Sequence, residues 1–597
     1  MPRYLISTGF ECTWPDQQPV LMLGEWCRRF SRRDAWKGLD LAVVPYHWDD
    51  RKKLLEDYKY LSALYEELLK EIATCLNRIH SVDYSLKYWR ILVGPWLGHF
   101  VQVLFDRWSV LARAIRDFEV GGITVLNTDS KLMVAADMNE YIAMYVGDAW
   151  NEELIKQLIV NYTSIPVTHV DPHPDFASSK NLNAHAGIRG YLKVVLDGLS
   201  GYVLPMVTRQ DEAFFIATYL PKRVEWWLQM ALGQFPKPAR KVSPPKKPVS
   251  LSMRMWSIGN RENLHRDDFK CIVRDLIPKH LPTVYLEGYV ALRQICNLLP
   301  WPSSPSVIFT SNAFSSDDVF KAWAAEKVEH GAPLVIGQHG GNYGMALWSY
   351  MEEHQIAIAD KYLSWGWSRR SEPKVEPVCN LKVIGQRQCW DPDGGAVMTE
   401  MALPRYSYQM FSSPIASQWL NYFDDQCRFV RALPKLIRKQ LTVRLYSDYG
   451  WDEAERWSDQ FPDIQLDPGK KPLPNLIARS RINISTYNAT TFLESLALNV
   501  PTIVFWDPVY WELNEAASEG MQVLRDAGIF HDYPESAAAQ LTQVWDDVHG
   551  WWSGTVVQEA REEFCAIYSR TSKDSIKLLE SALRRAMRTK AIHTNHE

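Results

Sequence analysis

Asn483–Pro501 reads NISTYNATTFLESLALNVP. An apolar strand runs into Ser485–Thr486, a short polar turn follows, and a helix is expected from about Thr490–Thr491 with Glu494 on its first turn. Pro501 then ends the helix ahead of TIVF (Thr502–Phe505), a second apolar, β-branched run. Strand, turn, helix and strand in this order are the unit of a parallel sheet, so the stretch predicts an α/β fold.

The alternation recurs on both sides. A block beginning after Lys382–Gly385 (KVIG) has expected strands at Thr442–Tyr446 (TVRLY), Ile482–Ser485 (INIS) and Thr502–Phe505, and a closing amphipathic helix at Asp574–Met587 with a basic end. In the other half, Val20–Leu23 (VLML) leads into EWCRRF, and Leu41–Val44 (LAVV) into a charged amphipathic stretch from Asp50 to about Arg78. Ile123–Leu126 (ITVL) leads into a helix near Asn139–Ala149, and Val307–Thr310 (VIFT) into one at Asp317–Glu329, followed by a strand at Leu334–Ile336. The chain is therefore read as two Rossmann-like domains facing a cleft. Residues 1–380 form an N-terminal α/β domain with a largely helical segment at about 50–115, and 381–597 a C-terminal one; the resemblance given below implies that the first is the acceptor side and the second binds the nucleotide sugar. Ligands of such sheets sit at the carboxyl ends of the strands.

Composition fits. A chain of 597 residues is too long for one ordinary domain. A net charge of −4, from 66 basic and 70 acidic residues, argues against a nucleic-acid partner. Nine scattered cysteines with no CxxC pair spell no zinc or disulfide framework and suit free thiols in a reducing cytoplasm. MPRYLISTGFECTW lacks the charged-then-apolar order of a secretory signal. The longest apolar stretch, Ile91–Phe105, is 15 residues interrupted by Pro95, His99 and Gln102, and predicts a buried helix rather than a span. Phe235–Ser250 (FPKPARKVSPPKKPVS), with five Pro and five basic residues, reads as a linker or exposed insertion. Its Lys and Arg, with the basic final helix, are candidate contacts with the inner face of the plasma membrane for an otherwise cytoplasmic protein.

Two motifs carry the chemistry. A helix starting near Thr490 offers unpaired N–H groups and a partial positive charge to a phosphate, with the hydroxyls of Ser485, Thr486, Thr490 and Thr491 as further donors and Glu494 as a ribose acceptor. The alternative is a capping box, Thr490 or Thr491 with Glu494. In IGQHGGNYG (Ile336–Gly344), Gln338 and His339 at a strand end precede Gly340 and Gly341, which allow close backbone approach. His339 is a candidate general base or phosphate ligand, the alternative being a tight turn with an incidental histidine. Arg444, in VRLYSDYGW, would meet a donor phosphate or form a structural ion pair. Glu25, just after VLML, is a candidate catalytic carboxylate or an ion-pairing residue. Asp507, after TIVFW, would touch the donor sugar. Tyr46–Arg51 (YHWDDR) would line the acceptor side or cap the following helix. The chain has no GxxxxGK[ST], HExxH or GxSxG element and no convincing DxD pair. A metal-independent transfer with no cofactor is expected, the nucleotide sugar being a substrate.

GEW (Gly24–Trp26), YHWDDR, YWRILVGPWL (Tyr88–Leu97), GQHGGNYG, VRLYSDYGW and STYNATTFLES together resemble a family of transferases encoded in bacterial O-antigen and other surface-polysaccharide loci, over about residues 1–590. The QHG element and the S-T-x(4)-TxxE element are also similar to those of the GT-B group that holds Kdo and sialic-acid-type capsule transferases and teichoic-acid glycerophosphotransferases, enzymes using CMP- or CDP-activated donors. The resemblance implies a GT-B fold, Gln338–Gly341 at the catalytic cleft, and Thr486, Thr490, Thr491 and Glu494 on the nucleotide. One departure is RLYSDYG, where that group often has a basic or HP element. The expected function is a glycosyltransferase of surface-polysaccharide synthesis, moving a sugar, foremost an ulosonic acid from CMP, to a lipid-linked or oligosaccharide acceptor. Phosphotransfer from a CDP-alditol, a non-catalytic nucleotide-binding assembly protein and a sugar-nucleotide epimerase stay open as alternatives.

Overall fold

A computed structural model describes residues 1–172, 209–239, 241–259 and 265–594. Short apolar runs separated by helices pair, always in parallel, into three sheets. The first holds β1 (Arg3–Ile6), β2 (Val20–Met22), β3 (Leu41–Val43), β4 (Val120–Leu126) and β5 (Val167–Val170), in the order β3-β2-β1-β4-β5. The second holds β6 (Phe214–Ile216), β7 (Ile308–Thr310), β8 (Leu334–Gly337), β9 (Lys361–Ser364) and β10 (Val375–Pro377), side by side in chain order. The third holds β11 (Gly395–Thr399), β12 (Leu441–Arg444), β13 (Gln465–Asp467), β14 (Ser480–Ser485), β15 (Thr502–Phe505) and β16 (Phe530–His531), in the order β13-β12-β11-β14-β15-β16. The first and third are doubly wound, and their strand order reverses between β1 and β4 and between β11 and β14, the points where such sheets take ligands. The α/β class holds, and the strands before residue 380 are shared between two sheets.

The expected helical segment is Arg51–His80, Leu86–Leu92 and Gly94–Asp117. Asp50 caps the first of these, its carboxylate accepting from the amides of Lys52 (3.0 Å) and Lys53 (3.2 Å). Pro95 sits in the first turn of the last helix, where its missing N–H costs nothing. That helix is buried from Gly94 through Leu104. EWCRRF makes two short 3-10 turns (Glu25–Cys27 and Phe30–Arg32) instead of an α-helix, and the KVIG stretch is a turn. The final helix, Ser575–Thr594, returns to the second sheet: Leu579, Ala582, Leu583 and Ala586 pack with Phe215, Phe309, Val335 and Leu363. Phe235–Ser250 is coil, with Arg240 outside the described residues, but it is tied down. Gln229 Oε1 accepts from Lys237 N at 2.9 Å, and Ala239 and Val242 pack on the core. Among the described residues no helix is long and apolar enough to cross a membrane.

One buried polar network joins the helical segment to the third-sheet half. Asp106 accepts from Tyr46 Oη (2.8 Å) and His47 Nε2 (3.0 Å) and pairs with Arg107, which donates to Asn151 Oδ1 (2.7 Å), Ser407 Oγ (2.9 Å) and Ser407 O (2.9 Å). Burial alone would raise the Asp106 carboxyl; Arg107 and the His47 hydrogen bond outweigh it and hold it at about 2. Arg107→Met strips this carboxylate of its cation while leaving it buried. We expect a loss of about 3–5 kcal/mol of unfolding free energy, read by urea denaturation. A loss under about 1 kcal/mol, the range of exposed ion pairs, would contradict the network's structural role.

Candidate functional site

The carboxyl end of β8 leads directly into Gln338–Gly341, and the carboxyl end of β14 into Thr486–Thr490, so the two motifs leave their sheets toward one another. They touch. The Gly341 amide donates to Thr490 Oγ1 at 2.9 Å. Gly340 and Gly341 have φ of +139° and +78°, and a Cβ on Gly340 would lie 2.1 Å from Thr490 Oγ1. The approach therefore needs glycine twice, for conformation and for space. The rest of the segment is pinned to the same half: Asn514 Nδ2 donates to Gly344 O at 2.8 Å, and Ala346 bridges Leu513.

His339 lies between the rings of Tyr219 (6.0 Å), Phe314 (6.3 Å) and Tyr343 (5.4 Å). Burial first, and then the nearby Lys382 ammonium, push its imidazole down to about 4, so it is neutral at pH 7. The Ser311 backbone and the Gln355 side chain oppose part of that shift, although Nδ1 makes no hydrogen bond of good geometry. Lys382 Nζ pairs with Glu494 Oε1 at 2.8 Å and lies over the Tyr219 ring, 5.4 Å from its centre. Tyr343 belongs to the quoted IGQHGGNYG motif, whereas Lys382 and Tyr219 carry no signal in the sequence that ties them to His339.

The Thr490–Ala497 helix begins after Ala489, which supplies no side-chain cap. The capping-box alternative therefore fails. Thr490 serves Gly341, Thr491 Oγ1 shares a 2.5 Å hydrogen bond with Tyr487 Oη, and Glu494 serves Lys382. Thr486 is held in the sheet, donating to Thr399 O at 2.9 Å and meeting Tyr422 Oη at 2.6 Å. Ser485 is fully buried beside it, its hydroxyl without a hydrogen-bond partner among the described residues. Gln338 is buried: its Oε1 accepts from Trp365 N (2.9 Å) and Trp367 Nε1 (2.8 Å), which anchors the QHGG turn.

Other expected residues stand apart from this junction. Arg444 pairs with Asp467 and donates to Gly469 O at 3.3 Å, the structural ion pair of the two alternatives. Asp467 sits on the neighbouring strand at the register partner of Arg444. Asp507 accepts from Val509 N at 2.9 Å and shares a narrow crevice with Thr486, Tyr422 and Asp425. Glu25 pairs with Arg28 and lines a polar cavity of about 300 Å³ with Val43–Tyr46, Asp49, Gln418 and Asn421. The sequence-adjacent motifs GEW and YHWDDR thus share one cavity at the ends of β2 and β3. Among the described residues no hydrogen bond, ion pair or ring contact joins Glu25 to His339. At the switch point of the third sheet, Glu400 follows β11 and accepts from Trp457 Nε1 at 2.7 Å. Burial, then the neighbouring Glu453, raises Glu400 well above the carboxylate range, and Glu453, raised by burial and Asp448, reaches about 8. Neither acid was evident from the sequence.

Among solved structures, the chain is similar to the wall teichoic acid polymerase TagF (10% identity over 68% of this chain and 100% of that one, TM-score 0.32). It is also similar to MurG of Acinetobacter baumannii (10% identity, 50% and 78% covered, TM-score 0.28) and to Anabaena HepE in complex with UDP (10% identity, 54% and 89% covered, TM-score 0.30). Likenesses this low say nothing about chemistry. No curated protein matches. Residues 3–583 fit one family along nearly the whole chain; the protein belongs to the LIC12162 family of transferases.

Proposed function

We propose that the chain is a glycosyltransferase of surface-polysaccharide synthesis that moves an ulosonic acid from a CMP donor to a lipid-linked or oligosaccharide acceptor. The observation that carries the reading is the meeting of two glycines of the QHGG turn with the first residue of an uncapped helix, beside a neutral, partly buried histidine. Division near residue 380 gives an acceptor-side part and a donor-side part. The donor phosphate lies on the amides that open the Thr490–Ala497 helix, whose dipole supports the leaving group without a metal. Neutral His339 takes the acceptor proton. Glu25, ion-paired and in another cavity, is reassigned from a catalytic partner to the acceptor path.

Glu494→Ala should weaken CMP binding about 10–100-fold, the range for a hydrogen bond to a charged group, with a smaller effect on turnover at saturating donor. Calorimetric affinity alongside turnover decides it; altered turnover at unchanged affinity would refute the ribose role. The reading as a whole is tested by incubating protein, CMP-linked ulosonic acid and lipid-linked acceptor and analysing the product linkage. A glycosidic product without added phosphate supports it. A phosphodiester formed from a CDP-alditol donor would replace it with phosphotransfer.

A further inference from the structure

The Lys222–Ala231 helix is amphipathic in an unusual sense. It buries Val224, Leu228 and Gln229 against the second sheet and the final helix. To the outside it turns Lys222, Arg223, Trp226, Trp227 and Met230, which share one face at the i, i+4, i+8 spacing. Trp226 is 50% exposed, Trp227 43%, Met230 56%, and Phe235, just past the helix, 71%. Glu225, the acid of this helix, is drawn inward to the Thr218 hydroxyl. The final helix lies alongside, where Arg584 donates to Ala231 O and Arg588 is exposed.

Two indoles and a thioether left in water on one helical face, with a phenyl ring exposed just past its end, are costly, and indole is suited to the boundary between an apolar layer and a wet one. Apolar side chains flanked by Lys and Arg are the pattern of a helix lying in a bilayer interface. The sign of the charge selects the surface: each basic group favours anionic headgroups. We propose that the outer face of the Lys222–Ala231 helix, with Phe235, docks the protein on a membrane rich in anionic lipid. This moves the membrane contact away from the Lys/Arg of the tied-down coil after Phe235 to the helix before it. It stands apart from the transfer reading, since none of these residues touches His339 or Thr490 in the described contacts.

The test is co-sedimentation of the full chain with vesicles of phosphatidylcholine alone and of an equal mixture of phosphatidylcholine and phosphatidylglycerol. Wild type should bind the acidic vesicles. Lys222→Gln with Arg223→Gln should weaken that binding about 30-fold, about fivefold for each basic group. Trp226→Ser with Trp227→Ser should weaken binding about tenfold or more. Lys435→Gln with Lys439→Gln, two exposed positions of the third-sheet half, should leave it unchanged. Because all six positions are on the surface, the variants should fold. Wild type that ignores acidic vesicles, or a tryptophan pair variant that binds as wild type does, overturns the proposal. So does a wild-type dimer in light scattering that the tryptophan variant converts to monomer while vesicle binding persists, since the face would then join two copies.

Discussion

His339→Ala is expected to lower turnover by about 10²–10⁴-fold, the usual contribution of a positioned acid–base group, while the protein still melts cooperatively. The imidazole is enclosed by Tyr219, Phe314 and Tyr343, and burial and Lys382 keep it at about 4. Because that value is below the ordinary histidine range, His339 is neutral at pH 7 and loses basic competence only as pH falls through about 4. The acidic limb it imposes on kcat therefore lies near 4, not near 6.5. Lys382→Met removes the cation and should move that limb upward. Turnover of His339→Ala equal to wild type would reject the assignment; an acidic limb unmoved by Lys382→Met would reject the electrostatic account of it.

Gly340→Ala should be nearly as damaging by a different route. A φ of +139° is accessible essentially to glycine alone, and forcing another residue into such a region costs about 1–3 kcal/mol. The new methyl would also lie 2.1 Å from Thr490 Oγ1, so the QHGG turn and the helix start must part. We expect a lower melting temperature and loss of the Gly341–Thr490 hydrogen bond with most of the activity. In a Thr490→Ala background the severe 2.1 Å contact is gone and a tight 3.2 Å approach to Cβ remains beside the conformational part. The two substitutions should therefore couple by about 0.5–3 kcal/mol in a double-mutant cycle. Strict additivity would show that the two turns do not meet in solution as they do here.

The α/β class was legible because several strands hold apolar, β-branched runs with breakers beside them, among them Ile123–Leu126, Ile308–Thr310 and Thr502–Phe505. Val375–Pro377, Gln465–Asp467 and Phe530–His531 are as short as Val20–Met22 or Leu41–Val43 but polar in part, so no apolar run marks them. The division of the early strands between two sheets was equally invisible, since pairing order is a long-range property. At the site, both motifs were evident as strand ends followed by glycines or by a helix start, yet their contact spans 149 positions of sequence and no local pattern encodes it. Arg444 illustrates the reverse. Its charge in a strand was correctly read as needing a partner, and the partner came from the neighbouring strand through the sheet register, not from a ligand. Thr490 and Glu494 matched a capping box in sequence, but Ala489 precedes the helix and Lys382, 112 positions earlier in the chain, claims the carboxylate.

The central claim is that the Gly340–Thr490 junction holds a nucleotide donor. It is tested most directly by the melting temperature of wild type and Glu494→Ala with CMP, CDP, UDP, GDP and ADP, since a ligand that binds only the folded state must stabilise it, by about 2.7 kcal/mol at a hundredfold excess over Kd. The account predicts that CMP raises the wild-type melting temperature and that Glu494→Ala loses most of the rise. No shift with any of the five nucleotides, or an equal CMP shift in both proteins, would contradict it.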